Sequence, residues 1–364
     1  MLDRPPVKLA VAAAPLALQG VTPSDIVRQL PSVRIEEARR IVSHVYRGGT
    51  LGQPVPTIRR VSIEAVAAAY HVPTLEVASV RKSALDPFVK FLLRTGDDKL
   101  IETVRIPLER PGRFTACVSS QVGCALACGF CATGRMGLRR NLEAWEIVEQ
   151  VRLVRASIGP GEGRVHGVVF QGMGEALANL DRVLAAIAVL TEPSALAIDQ
   201  RTFTVCTSGL PSGIRRLAQA APRTRLAISI GSARPAVRRQ IMPIDDAHPL
   251  REVMAAAIEH AALTGLAPMW ALTLLGGVND TDEDAHALGQ LARDFTAQSG
   301  LRPRVTIIPY NPTAEGDADP FVRTTLDRED ALRTILAGYG VYPHRRYSGG
   351  SDVGAACGQL AARA

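Results

Sequence analysis

CVSSQVGCALACGFCATG, residues 117–134, carries Cys124, Cys128 and Cys131 within eight residues, with Cys117 seven residues upstream of the first. The preceding stretches KLIETVRIPL (99–108) and RFTACVSS (113–120) read as a strand pair, which sets the three thiols on a short loop beyond a strand. Three cysteines on one loop can hold three irons of a [4Fe–4S] cube and leave the fourth iron without a protein ligand. Zinc is the structural alternative, but a closed zinc site takes four ligands, often as two separated pairs. Here there is one triplet and no nearby histidine, so a fourth ligand would be Cys117 or a distant side chain.

Downstream of this loop, apolar strand-like runs alternate with amphipathic stretches. The strand candidates are 166–171, 201–206, 225–230, 269–275, 304–308 and 341–346; between them, helical patterns fall near 142–157, 179–190, 211–220, 249–263, 281–297 and 326–337. This repetition predicts an α/β fold, a parallel sheet covered by helices, closed into a full or partial barrel or left open. In each case the chemistry belongs on loops at the carboxyl ends of the strands.

Residues 1–95 read as a separate, small helical unit. PSVRIEEARRIVSHVYRGG (31–49) has Val33, Ile41, Val42 and Val45 at helical spacing and ends at Gly48-Gly49, and 62–71 and 74–83 look like two further short helices. Residues 1–90 hold 12 Lys and Arg against 7 Asp and Glu, so they carry +5 of the chain's net charge of +7. Such a balance fits either a solvated helical face or a contact surface for nucleic acid. The low aromatic content, 4%, argues against a broad base-stacking platform.

The whole chain, 364 residues with 47% hydrophobic and 21% charged, has a globular composition, and six cysteines in that length exclude a small secreted disulfide scaffold. No segment approaches the roughly 20 apolar residues of a membrane span. LAVAAAPLAL (9–18) superficially resembles a secretory signal, but Pro15 interrupts it and Gln19-Gly20 replaces a small-x-small cleavage site. A cytoplasmic protein without a membrane partner is expected.

CVSSQVGCALACGFCATG, GMGEALANL, TSGL, LAIS, MPIDD, GVNDT, IPYNPT and DVGAACGQL, in this order, resemble the RlmN/Cfr family of radical S-adenosylmethionine (SAM) RNA methyltransferases. The resemblance runs from about Glu102 to the C-terminus and, more weakly, through the basic N-terminal unit. It implies a radical SAM partial (β/α) barrel over 96–348 and a flexible tail over 349–364. It also implies one [4Fe–4S] cluster on Cys124, Cys128 and Cys131, and two SAM molecules per turnover. Gly174, Glu175, Ser208, Ser229, Ile230, Gly231 and Asn311 are the SAM contacts it carries over. Each sits at or just past the end of a predicted strand, where the fold places a site.

The resemblance further implies the reaction. Cys357 accepts a methyl group from one SAM, a 5′-deoxyadenosyl radical from a second removes hydrogen from that S-methyl group, and the carbon adds to an adenine carbon, C2 or C8. Cys117 then forms a transient disulfide with Cys357, and Glu102 is the proton acceptor. These ring carbons are not nucleophilic, so ordinary polar transfer from SAM fails there. Reaching one requires an unstacked base, which favours loops and single-stranded RNA. The implied partners are RNA, large-subunit ribosomal RNA foremost, and an electron donor such as flavodoxin or ferredoxin. Two other readings share some of these residues: the same chemistry on a small molecule or peptide, and a metal-stabilised RNA-binding protein that is not an enzyme.

The family usually has histidine at the position of Gly231 and an acidic residue near Ala271; after Asn311-Pro312 this chain has TAEGDADPFVRTT. GMGEALANL and MPIDDAHPLREVM lean toward the Cfr branch, which methylates C8. Cys206 stands where many relatives have serine and reads as a packing residue.

Overall fold

The structure, a computed structural model, describes residues 15–313 and 319–361. Most of the N-terminal apolar run and five residues of TAEGDADPFVRTT, 314–318, therefore lie outside the described residues.

The first unit pairs β1 (Leu16–Ala17) with β2 (Tyr70–His71) and holds α1 (Pro23–Gln29), α2 (Ile35–Tyr46) and α3 (Arg60–Ala69). Helix α1 begins where Thr22 and Asp25 cap each other reciprocally, with Pro23 in the first turn. In α2, Ala38, Ile41, Val42 and Val45 recur at i, i+3, i+4 and i+7 and are buried. Glu37 fastens α2 to the start of α3, accepting hydrogen bonds from Arg59 Nη2 at 2.6 Å and Ser62 Oγ at 3.0 Å.

The strands β3 (Glu76–Lys82), β4 (Val89–Arg94), β5 (Leu100–Pro107) and β6 (Arg113–Cys117) form an antiparallel run. The helix expected over 74–83 is thus a strand. Val77 and Val80 are β-branched, and the segment pairs along β4 as the sheet's edge, so tertiary pairing overrides local helical spacing. The sheet also runs continuously across residue 95, since β4 and β5 pair from Val89↔Arg105 to Arg94↔Leu100.

Next come the hairpin β7 (Gln121–Cys124) and β8 (Gly137–Asn141), with the short α4 (Ala132–Arg135) between them. The alternation follows: α5 (Ala144–Ala156), β9 (Arg164–Phe170), α6 (Leu180–Thr191), β10 (Phe203–Thr207), α7 (Pro211–Ala220) and β11 (Arg225–Ser229). It continues with α8 (Pro235–Ile241), α9 (Leu250–Thr264), β12 (Met269–Leu274), α10 (Asp282–Ser299), β13 (Arg304–Pro309), α11 (Leu326–Gly338) and β14 (His344–Arg345). All six predicted strands and six predicted helices of this region are present; α8, whose pattern is short, is additional.

One ten-stranded sheet results, in the order β14-β13-β12-β11-β10-β9-β6-β5-β4-β3. From β14 to β6 every pairing is parallel; from β6 to β3 every pairing is antiparallel. The sheet is open, with β3 and β14 as its edges. Strands buried on both faces require apolar runs, and Val205, Ile228, Trp270 and Ile307 are fully covered. Each such side chain contributes about 1.5–3 kcal/mol. Parallel order places the carboxyl ends of β6 and β9–β13 on one rim. Among the described residues, no helix is long and apolar enough to cross a membrane.

Candidate active site

Along this rim, a cavity of about 130 Å³ is lined by Cys124, Cys128, Cys131, Gly174, Glu175, Ser208 and Ser229. Cys206 and Cys357 belong to the same wall. Cys124 ends β7, Cys128 lies in the turn that follows, and Cys131 caps α4, its N–H donating to Cys128 O at 3.1 Å. Burial, with a smaller contribution from neighbouring negative groups, pushes the Cys124 and Cys128 thiols up to about 11 and about 12. Among the described residues, no three His, Cys, Asp or Glu side chains are close enough to hold a single metal ion. Zinc–thiolate bonds of about 2.3 Å need sulfurs about 4 Å apart. Three thiols on a common wall are the number that takes three irons of one cluster, each on a different iron.

Gly174 and Glu175 follow β9. Gly174 has φ +102°, and a Cβ there would stand 2.5 Å from the Gln121 side chain, so glycine is required where the turn meets the cysteine hairpin. Glu175 is 4% exposed. Its Oε1 accepts from Leu177 N at 3.0 Å and its Oε2 from Ser208 N at 2.8 Å, while Gln121 Oε1 takes its own N–H at 2.8 Å. Burial raises the Glu175 carboxyl above the ordinary value, and the two backbone donors oppose that shift. Ser208 Oγ lies 3.9 Å from Cys128 Sγ, which joins the β10 loop to the cysteine loop.

Ser229 lines the cavity, but Ile230, Gly231 and Asn311 do not. Ile230 is buried, donates to Ala271 O at 2.9 Å and accepts from Arg238 Nε at 3.0 Å. Gly231 has φ +69°, and a Cβ there would meet Met242 Sδ at 2.4 Å. Met242 thus fills the space beside Gly231. Asn279, from GVNDT, braces this bend by donating to Gly231 O at 2.6 Å and Thr273 O at 2.8 Å. Asn311 Nδ2 donates to Ser348 Oγ at 2.7 Å and to Cys357 O at 3.0 Å, and Arg323 Nη2 donates to its Oδ1 at 3.1 Å.

The C-terminal tail is tied across the rim. Gly350 N donates to Asp86 Oδ2 at 2.9 Å, Ala132 N to Gly358 O at 2.8 Å, and Thr133 Oγ1 to Leu360 O at 2.6 Å. Cys357 therefore sits against the cysteine loop. It also lines a second cavity, of about 40 Å³, together with Cys117, Gln171 and Arg346. Cys117 ends β6, is buried, and its thiol is pushed up to about 12 by burial and by the nearby Cys357. Glu102, on β5, lines neither cavity; it is 1% exposed, pairs with Lys90 Nζ at 2.9 Å and accepts from Ala361 N at 2.8 Å.

Several residues escape a reading of the sequence alone. Cys206, taken as packing, lines the cavity of the three rim cysteines. Arg346 donates to Gln171 Oε1 at 2.7 Å beside three cysteines, whose negative forms raise its own basicity, Cys357 foremost. Arg238 is wholly buried; it pairs with Asp245 of MPIDD and donates to Ser208 O at 2.7 Å. An acidic residue inside an apolar motif such as MPIDD was the available signal for a buried cation.

Comparison with known proteins agrees with this architecture. The family model described as the Radical SAM superfamily matches residues 118–292. A protein of Sorangium cellulosum named "Probable RNA methyltransferase" is 59% identical over 349 residues, covering 90% of this chain and 88% of that one. A "Dual-specificity RNA methyltransferase RlmN" of Syntrophobacter fumaroxidans is 38% identical over 331 residues, covering 89% and 91%. The crystal structure of a radical SAM methyltransferase from Sphaerobacter thermophilus superposes with a TM-score of 0.85 at 33% identity, covering 96% of this chain and 100% of that one. With three thiols on the rim of a mostly parallel sheet and relatives aligned over nearly the whole length, the chain belongs to the RlmN-type family of radical SAM RNA methyltransferases.

Proposed function

We propose that this RNA methyltransferase moves a methyl group through Cys357 onto C2 or C8 of an adenine, with large-subunit ribosomal RNA as the substrate. The supporting observation is that Cys357 lines both the cavity of the three rim cysteines and the cavity of Cys117. A group carried on its sulfur is thus within reach of SAM chemistry on one side and of a second thiol on the other.

Cys124, Cys128 and Cys131 would hold three irons of a [4Fe–4S] cluster. When bound, the cluster supplies the electron, drawn from a donor such as flavodoxin or ferredoxin, that splits SAM into methionine and a 5′-deoxyadenosyl radical. Glu175 accepts from the SAM ammonium group, Gly174 lets the backbone approach it, and Ser208 and Ser229 contact the rest. Ile230, Gly231 and Asn311 shape that wall from behind, Asn311 by holding the Cys357 carbonyl. Two SAM molecules are consumed: Cys357 takes the methyl group of the first by displacement at carbon, and the second serves hydrogen abstraction. Arg346 sets a positive charge beside Cys357 during that displacement.

Glu102 takes the proton that the ring carbon must lose, and the unpaired electron of the adduct would return to the cluster as the ring regains its closed shell. The tail that now bonds to it moves to admit the base. Cys117 then attacks the Cys357 sulfur: a sulfur–sulfur bond forms, the carbon–sulfur bond breaks, and its electron pair stays on carbon, which a proton completes to methyl. The N-terminal unit presents Arg34, Arg39, Arg40 and Arg47 outside its ion pairs Arg28–Asp25, Arg59–Glu37 and Arg60–Glu64, and these contact RNA phosphates.

The test is to incubate cluster-reconstituted protein with SAM, a reductant and protein-free ribosomal RNA, then map methyladenosines and Cys357 by mass spectrometry. Methyl groups on both Cys357 and RNA adenine are expected. Full RNA methylation by Cys357→Ala would refute the cysteine route. S-methylation without an RNA product would refute the substrate alone.

A further inference from the structure

At the opposite end of the strands from the rim, a groove of about 840 Å³ opens between the starts of β12, β13 and β14. Met269 and Arg304, the first residues of β12 and β13, line it, with His344 of β14. Strands of six residues put this groove about 17–20 Å from the catalytic rim. It is separate from every residue assigned to SAM or to the target adenine.

Its lining is basic and aromatic. Arg293, Arg302 and Arg304 line it with Tyr339 and Tyr342, and no Asp or Glu does. Among the described residues, none of these three arginines forms an ion pair. Arg293 is held in place: its guanidinium lies 4.4 Å over the Tyr339 ring, and Nη2 donates to Gly338 O at 3.0 Å. Tyr339 is seated in turn on Gly289, where a Cβ would come within 2.4 Å of the ring, and its hydroxyl lies 3.0 Å from His286 Nδ1. The nearest acid along α10, Asp294, is bonded to Gln290 Nε2 at 2.8 Å. Pro303 stiffens the turn that presents Arg302 and Arg304. Tyr342 is 76% exposed beside them.

Unpaired guanidiniums around an exposed ring are suited to phosphates with a stacked base between them. We propose that this groove is a second RNA-binding site, which takes the phosphodiester backbone and one unstacked base of a single-stranded segment remote from the methylated adenine. An acidic protein is less well served: it would leave Tyr342 unused, and a redox partner docked here would be far from the cluster cysteines.

The experiment measures binding of a fluorescein-labelled 12-nucleotide oligouridylate, which offers no adenine to the catalytic cavity, to the full-length protein between 50 and 200 mM salt, on the order of the range where phosphate contacts show. Arg302→Gln with Arg304→Gln removes two phosphate contacts. The slope of log affinity against log salt should fall by about 1.4, at ~0.7 per contact to single strands. Tyr342→Ala should weaken binding by about tenfold and leave the slope unchanged. Exposed arginine changes of this kind shift stability by only about 0.5 kcal/mol, so both variants stay folded, as circular dichroism verifies. A double variant with the wild-type slope and affinity overturns the proposal. So does loss of flavodoxin binding in that variant with the RNA isotherm unaltered.

Discussion

Arg238→Met tests whether the catalytic wall depends on one buried cation. The guanidinium of Arg238 is fully enclosed, pairs with an Asp245 whose side chain is 2% exposed, and donates to the carbonyls of Ile230 and Ser208. Methionine matches the stem but removes the cation from a buried carboxylate and one donor from each of two carbonyls. Removing one member of a buried pair costs about 3–5 kcal/mol. With an unfolding entropy of about 2.1 cal/mol/K per residue, a loss near 4 kcal/mol lowers Tm of a chain this long by about 5 °C. Asp245→Leu should cost a similar amount, plus about 1 kcal/mol because Asp245 Oδ1 also accepts from Leu250 N at the start of α9. The double variant buries no charge, so it should lose less than the sum, with a coupling of about 2 kcal/mol or more. Urea titration of the three variants gives the cycle, and calorimetry of SAM binding gives the consequence for the wall. A loss under about 1 kcal/mol in Arg238→Met, or strict additivity in the double variant, shows that the pair does not organise these loops.

Cys117, pushed up to about 12 from an ordinary 9.0, should be alkylated by iodoacetamide at pH 8 about a thousandfold more slowly in the native protein than in urea. Its raised value favours the folded state below about pH 9, and that contribution is lost as pH rises toward 12. Equal labelling of native and unfolded chains by peptide mass spectrometry would contradict this. Glu102→Gln breaks the buried pair with Lys90 and weakens the anchor on Ala361. It should cost about 3 kcal/mol in urea and speed proteolysis of the tail, and unchanged values on both counts exclude that role. Gly231→Ala meets Met242 and a positive φ, so a loss of about 1–3 kcal/mol is expected, partly restored by Met242→Ala. No recovery in the double variant means that Met242 is not the obstacle.

Much of this architecture is legible in the residues themselves. Alternating runs such as RTFTVC and RLAISI with the amphipathic stretches between them predict β10, β11 and the helices over them, because side-chain period is a local property. The turn residues Gly174, Glu175, Ser208 and Ser229 are equally legible, since parallel strands bring their carboxyl ends to one rim whatever the loops contain. The segment 74–83 misleads because an edge strand is decided by the partner it pairs with, here β4. The sheet's continuity across residue 95 is hidden for the same reason. Asn311, expected at SAM, donates to Ser348 and the Cys357 carbonyl and accepts from Arg323, partners that its sequence neighbours do not announce.

The sequence by itself determined the cysteine triplet and the α/β alternation, because metal-ligand spacing and hydrophobic period are both written over a few consecutive residues. Only the tertiary structure decided what stands around Cys357. Its neighbours Cys117, Gln171, Cys206 and Arg346 are separated from it by between 11 and 240 positions, and no local rule relates them. They meet because parallel pairing stacks the ends of β6, β9 and β10 side by side, and because hydrogen bonds from Ala132 N and Thr133 Oγ1 hold the tail across those ends.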